Sequence, residues 1–148
     1  MKSLNNLLVS KDLEEHNPSR NEIEGIKRLI SRDIQDANLL ELSIDRRFAT
    51  IYNAALNLSR IIVISKGYRI TAKIGHHKIT FTAASIILGK QFDHFFSLFE
   101  ICRRKRNKVD YDQADVATES ELIDLISHVN KFEKIIHQWM SSNHFKLI

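Results

Sequence analysis

Apolar residues recur at steps of three and four along most of this chain. Ile23, Ile26, Leu29, Ile30, Ile34 and Ala37 form one such stripe, the period of a helix that turns one face to a core. Ser19 followed by Glu22 has capping-box spacing and marks its start just after Pro18; its end is expected near Glu41. Ser43 and Asp45 offer caps for a second stripe, Phe48, Ile51, Tyr52, Ala55, Leu58 and Ile62, closed by Gly67 as a C′ residue. Ile61–Ile64 is β-branched, yet the helical period runs through it unbroken and no turn signal precedes it, so it reads as helix. After a connector, Tyr68–Gly75, a short helix is expected from His77 to Leu88, stopped by Gly89. Another follows from Phe92 to about Lys108, carrying Phe92, Phe95, Phe96 and Phe99. Asp110–Ala117 is a polar loop, and Thr118 with Glu121 is a second capping box. It opens a long last helix through Leu122, Ile126, Val129, Phe132, Ile136, Trp139 and Met140. The segment Ser3–Glu15 has only a weak stripe, Leu4, Leu7, Leu8 and Leu13.

These elements predict an all-α fold: one antiparallel bundle of four to five main helices over residues 1–148, with 1–18 as a peripheral N-terminal segment. Composition sharpens the picture. The chain has 148 residues, 43% of them hydrophobic and 27% charged, enough for one sizeable core. Gly is 4 and Pro is 1, far below averages of about 7% and 5%. A sandwich or barrel needs turns built on such residues, so those classes are excluded, and a glycine-rich phosphate loop is disfavoured. A single Cys102 cannot form an internal disulfide. The N-terminus lacks the apolar core of a signal peptide, and runs such as Ile61–Ile64 fall far short of the roughly 20 residues that span a bilayer. A cytoplasmic protein without membrane association is expected.

Lys+Arg 22 against Asp+Glu 18 leaves a net charge of +4, with a pI near 9.3. The run Arg103-Arg104-Lys105-Arg106-Asn107-Lys108 nearly accounts for that surplus by itself. Cations near a helix C-terminus suit its macrodipole, so part of the run is helix chemistry. Three of its cations are Arg, which holds phosphate bidentately, and it leads into Val109-Asp110-Tyr111-Asp112, where acids and a phenol crowd the same turn. A solubilising patch has no need of that mixture.

Taken in order, several pieces carry a resemblance. They are Arg32-Asp33-Ile34 with Asp36-Ala37; Asp45-Arg46-Arg47-Phe48-Ala49 with Tyr52-Asn53-Ala54-Ala55-Leu56; Gly67-Tyr68-Arg69 and His76-His77-Lys78; and Arg103-Arg104-Lys105-Arg106-Asn107 with Asp110-Tyr111-Asp112. From about Leu29 to Trp139 the chain resembles the HEPN family, the higher eukaryotes and prokaryotes nucleotide-binding domain. The resemblance implies a helical bundle that forms homodimers, bringing two copies of an arginine motif together in one cleft. It also implies RNA or a nucleotide as ligand. Many members of that family are metal-independent endoribonucleases, often toxins paired with a minimal nucleotidyltransferase antitoxin or parts of defence systems. Others are non-catalytic binders.

The family's ribonuclease motif is Arg, four to six residues, then His, often with a polar residue after the Arg. Arg106-Asn107 matches the front half, but Tyr111 stands five positions on, and no His occurs between His94 and His128. Cleavage by a neighbouring 2′-hydroxyl needs a proton acceptor and a proton donor, and an imidazole of pKa about 6.5 suits both. Tyr titrates near 10 and Asp near 3.9, so each is a poor substitute unless shifted. By the resemblance, Arg106 holds phosphate, Asn107 orients that side chain or the scissile group, Asp110 and Tyr111 complete the pocket, and Arg103, Arg104, Lys105 and Lys108 attract substrate. Tyr111 is also, by position, the side chain a partner nucleotidyltransferase would modify. Enzymatic status stays open between a variant ribonuclease, a substrate-binding subunit of such a transferase, and a dimeric interaction domain whose basic run is only surface.

Other constellations offer less. His76 and His77 point about 100° apart on a helix, so a shared metal is disfavoured, and they read as a cap and a core-edge imidazole. His137 and His144, with Glu133 one turn before His137, lack a further ligand. No metal or cofactor is expected. The Phe stripe and Trp139 read as core, and Tyr52 as a core phenol hydrogen-bonding across the bundle. Zinc-finger spacing, a Walker loop and a nucleophile elbow are absent from the sequence.

Overall fold

The computed structural model describes residues 3–71, 74–110 and 113–148, with the side chain of Asp110 excluded. Among them are six α-helices: α1 (Leu4–Val9), α2 (Arg20–Ala37), α3 (Ile44–Ser65), α4 (His76–Leu88), α5 (Asp93–Asp110) and α6 (Glu119–Asn143). Two short strands, β1 (Leu13–Glu15) and β2 (Tyr68–Ile70), form an antiparallel pair. The expected helical bundle is present, and Ile61–Ile64 is helical.

Helix α3 is the spine: α2, α4, α5 and α6 all pack on it. It buries residues on nearly every side, from Phe48 and Ile51 to Ile61, Ile62, Val63 and Ile64, because neighbours surround it. It is long and apolar enough to cross a membrane by length and composition, but 67% of that window is buried inside the bundle. Its start is capped by Ser43 Oγ, which accepts from Arg46 N at 3.2 Å. At its other end Gly67 has φ +103°, a left-handed position that glycine takes without Cβ strain. Asp45, expected as a cap, does something else: its carboxylate accepts the backbone N–H of Ala117 at 2.9 Å and of Val116 at 3.3 Å. That ties the loop before α6 to the start of α3. Arg47 Nε donates to Ala37 O at 2.8 Å, satisfying a carbonyl at the end of α2.

Thr118 and Glu121 form the expected reciprocal box, with Glu121 N to Thr118 Oγ1 at 3.1 Å and Thr118 N to Glu121 Oε1 at 3.0 Å. At α2 only half of the box forms. Ser19 Oγ accepts from Glu22 N at 3.1 Å, but the Glu22 carboxylate turns to His16 Nε2 at 2.8 and 3.0 Å. Helix α2 also stops at Ala37, short of Glu41.

The N-terminal segment departs most from expectation. Only Leu4–Val9 is helical; Leu13–Glu15 pairs with Tyr68–Ile70, within the stretch read as a connector. The pairing sets Glu14 opposite Arg69, and the two form an ion pair. Leu7 and Leu13 are each 2% exposed, so these two side chains join the core. Leu4, Leu7 and Leu8 of the weak stripe do lie in a helix, while Leu13 falls in a three-residue strand too short to show a period. On α5, Phe95, Phe96 and Phe99 close on Phe132 of α6 with ring centroids 5.1, 5.6 and 5.2 Å away. The Phe stripe is core, as its spacing suggested.

Candidate functional site

At 3.6 residues per turn, five cations in six positions cannot share one face of α5. Arg106 lies two turns beyond the buried Phe99 and on the same side, where the apolar stripe would continue. Its guanidinium carbon sits over the Tyr52 ring, 5.6 Å from the centroid, a cation–π contact. Arg103, one turn earlier, is held by Glu100: Nη2 to Oε1 at 2.7 Å and Nε to Oε2 at 3.0 Å. Lys105 points the other way and pairs with Glu121 of α6. Arg104 is directed outward with its side chain 72% exposed and its Nε 3.8 Å from Glu100 Oε1, and Lys108 is exposed. Asn107 is half-buried.

The basic run is therefore a split one. Of the four cations expected to attract substrate, Arg103 and Lys105 are held by carboxylates, Arg104 is mostly exposed with a looser ion pair to Glu100, and Lys108 is exposed; Arg106 lies over the Tyr52 ring. Tyr111 and Asp112 lie outside the described residues, as does the side chain of Asp110, so the expected pocket around them is not described.

Among the described residues, Arg106 meets a polar junction between α3, α4 and α5. Tyr52 is fully buried, wedged edge-on against Phe81 with centroids 5.9 Å apart. Its hydroxyl lies 3.1 Å from His77 Nδ1, the cross-bundle hydrogen bond expected of it. Burial pushes the Tyr52 phenol well above its ordinary range, against the pull of Arg106 and then Arg103. It stays a neutral phenol able to donate or accept. Glu100 is displaced oppositely, held below the usual carboxylate range chiefly by its hydrogen bond from Arg103. His77 is half-buried, and the exposed His76 meets it edge-on with ring centroids 4.4 Å apart. His77 was thus read correctly as a core-edge imidazole, but its nearness to Arg106 was not legible. The available signal was an arginine on the core side of a helix, which breaks the apolar pattern.

Beside this junction an open groove of about 730 Å³ runs between α4 and α5, lined among others by Lys78, Phe81, Phe96, Glu100, Ile101 and Arg104. A more apolar one of about 410 Å³ lies across α3 between α2 and α6, over Leu58 and Ile61 with Glu133 and His137 at its edge. His144 packs against Trp139, with centroids 4.7 Å apart. Among the described residues no group of three His, Cys, Asp or Glu side chains could hold a metal ion. Cys102 is buried and its thiol is pushed up to about 12 by burial, with Glu121 and Asp124 adding to the effect, so it is no thiolate at neutral pH. Comparison of the chain with known protein families, with curated proteins and with solved structures finds no match.

Proposed function

We propose that this chain is a HEPN-like protein that binds RNA through phosphate contacts at the α5 end of the bundle, as the ribonuclease-like member of a toxin–antitoxin or defence pair. Arg106 holds a phosphate, Asn107 lies one position on, and the outward Arg104 and Lys108 draw the strand in. The observation that carries this reading is the position of Arg106, inward on α5, stacked on Tyr52 and next to His77 across that phenol. An inward arginine fixed by an aromatic ring is ordered before a ligand arrives, which lowers the cost of binding.

The homodimer belongs to the same proposal. Exposed Ile101 is 61% accessible beside Arg104, and the α4–α5 groove is charged unequally along its length. Lys78 and Arg104 lie toward one end with Glu100 beside them, while Asp93, which accepts from Ser85 Oγ at 3.1 Å, lies at the other. A second copy related by a twofold axis would set Asp93 of each chain against the basic end of its partner, the self-complementarity an isologous contact needs.

The test is binding of a fluorescent single-stranded RNA across a salt series. Arg106→Ala is expected to weaken binding at least tenfold, and Arg104→Ala to lower the salt dependence by about one counterion. Absence of RNA binding at low salt would refute the reading.

A further inference from the structure

We propose that the cleft between α2 and α6 is a binding site for a straight-chain aliphatic monocarboxylate, the hydrocarbon lying along α3 and the carboxylate held by lysines of the two walls. This site is separate from the α5 end of the bundle and does not depend on RNA binding there.

Helices α2 and α6 both pack on α3 and leave a cleft of about 410 Å³ between them. Ile30 from α2, Leu58 and Ile61 from α3, and Ile136 and Met140 from α6 form its floor, none more than 3% exposed. All five are aliphatic or a thioether. They offer no ring on which a base or a sugar would stack, and no hydrogen-bonding side chain for a hydroxyl or amide, so the body of a ligand here is hydrocarbon. Side chains that face a gap lose dispersion partners on that side, and an alkyl chain restores them without leaving a polar group unpaired. Length follows from the helix. Glu133 and Met140, the first and last lining residues on α6, are seven positions apart, about 10 Å at the helical rise. An extended alkyl chain of that length has roughly eight to ten carbons.

The head group follows from the rim. Lys27 stands on the α2 wall, Lys134 and His137 stand one turn apart on the α6 wall, and Glu133 is the acid that lines the cleft among the described residues. Lys134 is exposed and, among the described residues, has no ion pair. Lys27 has a contact of 3.8 Å to Glu24, one turn earlier on α2, longer than a hydrogen bond and readily exchanged for a better acceptor. Lysine stems lie along apolar surface while their ammonium groups stay in water, which puts the two cations where the head of a chain seated on the floor would emerge. Two ammonium groups and an imidazole against one carboxylate suit an anion and repel a cation. Glu133 in turn favours a head with one negative charge over one with two.

The experiment titrates the full chain by calorimetry with hexanoate, octanoate and decanoate, each below micelle formation, with 1-octanol and octylammonium as head-group controls. Affinity is expected to rise about three- to fourfold per added methylene through decanoate. Octanol should bind about fivefold more weakly than octanoate, and octylammonium more weakly still. Saturating decanoate should raise the melting temperature. It should also shift the methyl resonances of Ile30, Leu58 and Ile61 and leave that of Ile101, on the α4–α5 groove, in place. Lys134→Gln, at an exposed position, should weaken octanoate about twofold with octanol unchanged, which a loss of fold would not do. Lys27→Gln should act in the same direction, and the two together should bring octanoate to the level of octanol. No binding of decanoate by wild type overturns the proposal. So does an affinity that ignores chain length, octanol or octylammonium binding as tightly as octanoate, or methyl shifts centred away from the α2–α6 cleft.

Discussion

Asp33 is buried on α2 at 7% exposure, and among the described residues its carboxylate has one 3.5 Å contact, to Arg32, whose side chain is largely exposed. Burial raises its pKa from 3.8, against the pull of Arg32 and with a smaller push from Asp36. The sign follows directly: ionising this carboxyl costs more in the folded protein than in the unfolded chain. Stability is therefore greatest below the unfolded value of about 3.8 and falls as pH rises from there to the folded value, above which the penalty is constant. Asp33→Asn is expected to melt higher than wild type at pH 7, with the difference closing below about pH 4. Parallel thermal melts at the two pH values check this; a variant that melts lower at pH 7 would mean the charge itself is held by favourable contacts. The sequence placed Asp33 correctly in a helix, but its burial depends on α3, which covers that face.

At the scale of elements, the joint between α3 and α6 is the sharpest departure from local reading. Asp45 stands in the first turn of α3 and looks like a helix cap, yet it accepts backbone donors 71 and 72 residues away. Hydrogen bonds to a charged acceptor contribute about 1.5–3 kcal/mol each, unevenly when they share one carboxylate. Asp45→Ala is expected to lower unfolding free energy by roughly 2–4 kcal/mol, seen as a fall in denaturant midpoint with unchanged slope. An effect no larger than that of Ser43→Ala, a plain cap worth about 1 kcal/mol, would show the joint to be energetically idle. The β1–β2 pair belongs to the same lesson. Its residues contain no strand signal, and the pairing exists because Leu13 and Ile70 reach the bundle from two distant parts of the chain.

Across the whole molecule, the +4 charge does not act as one patch. Glu100 holds Arg103, and Glu121 holds Lys105. Glu100→Gln should release the Arg103 guanidinium, tighten binding to single-stranded RNA and raise the salt dependence by about one counterion. It should also remove a pH effect of opposite sign to that of Asp33. Because the Glu100 pKa is depressed in the fold, its contribution is present above about 4.5 and lost as pH falls through the folded value. RNA titrations at several salt concentrations and an acid melt of the variant check both outcomes. An unchanged salt dependence would mean that Arg103 is a structural residue only.

The sequence by itself determined the helices, their order and the composition of the core. Those follow from a 3.6-residue period, a capping box at Thr118 and stops at Gly67 and Gly89, all carried by neighbours within a turn or two. It also located the basic run. Tertiary structure alone decided that Lys105 of that run meets Glu121 and that Arg106 stacks on Tyr52. It likewise decided that the imidazole nearest the Arg106–Tyr52 stack comes from α4, and that Asp45 serves α6. Each of these joins side chains far apart in the chain, and their meeting depends on how α3, α4, α5 and α6 pack, which no local period encodes.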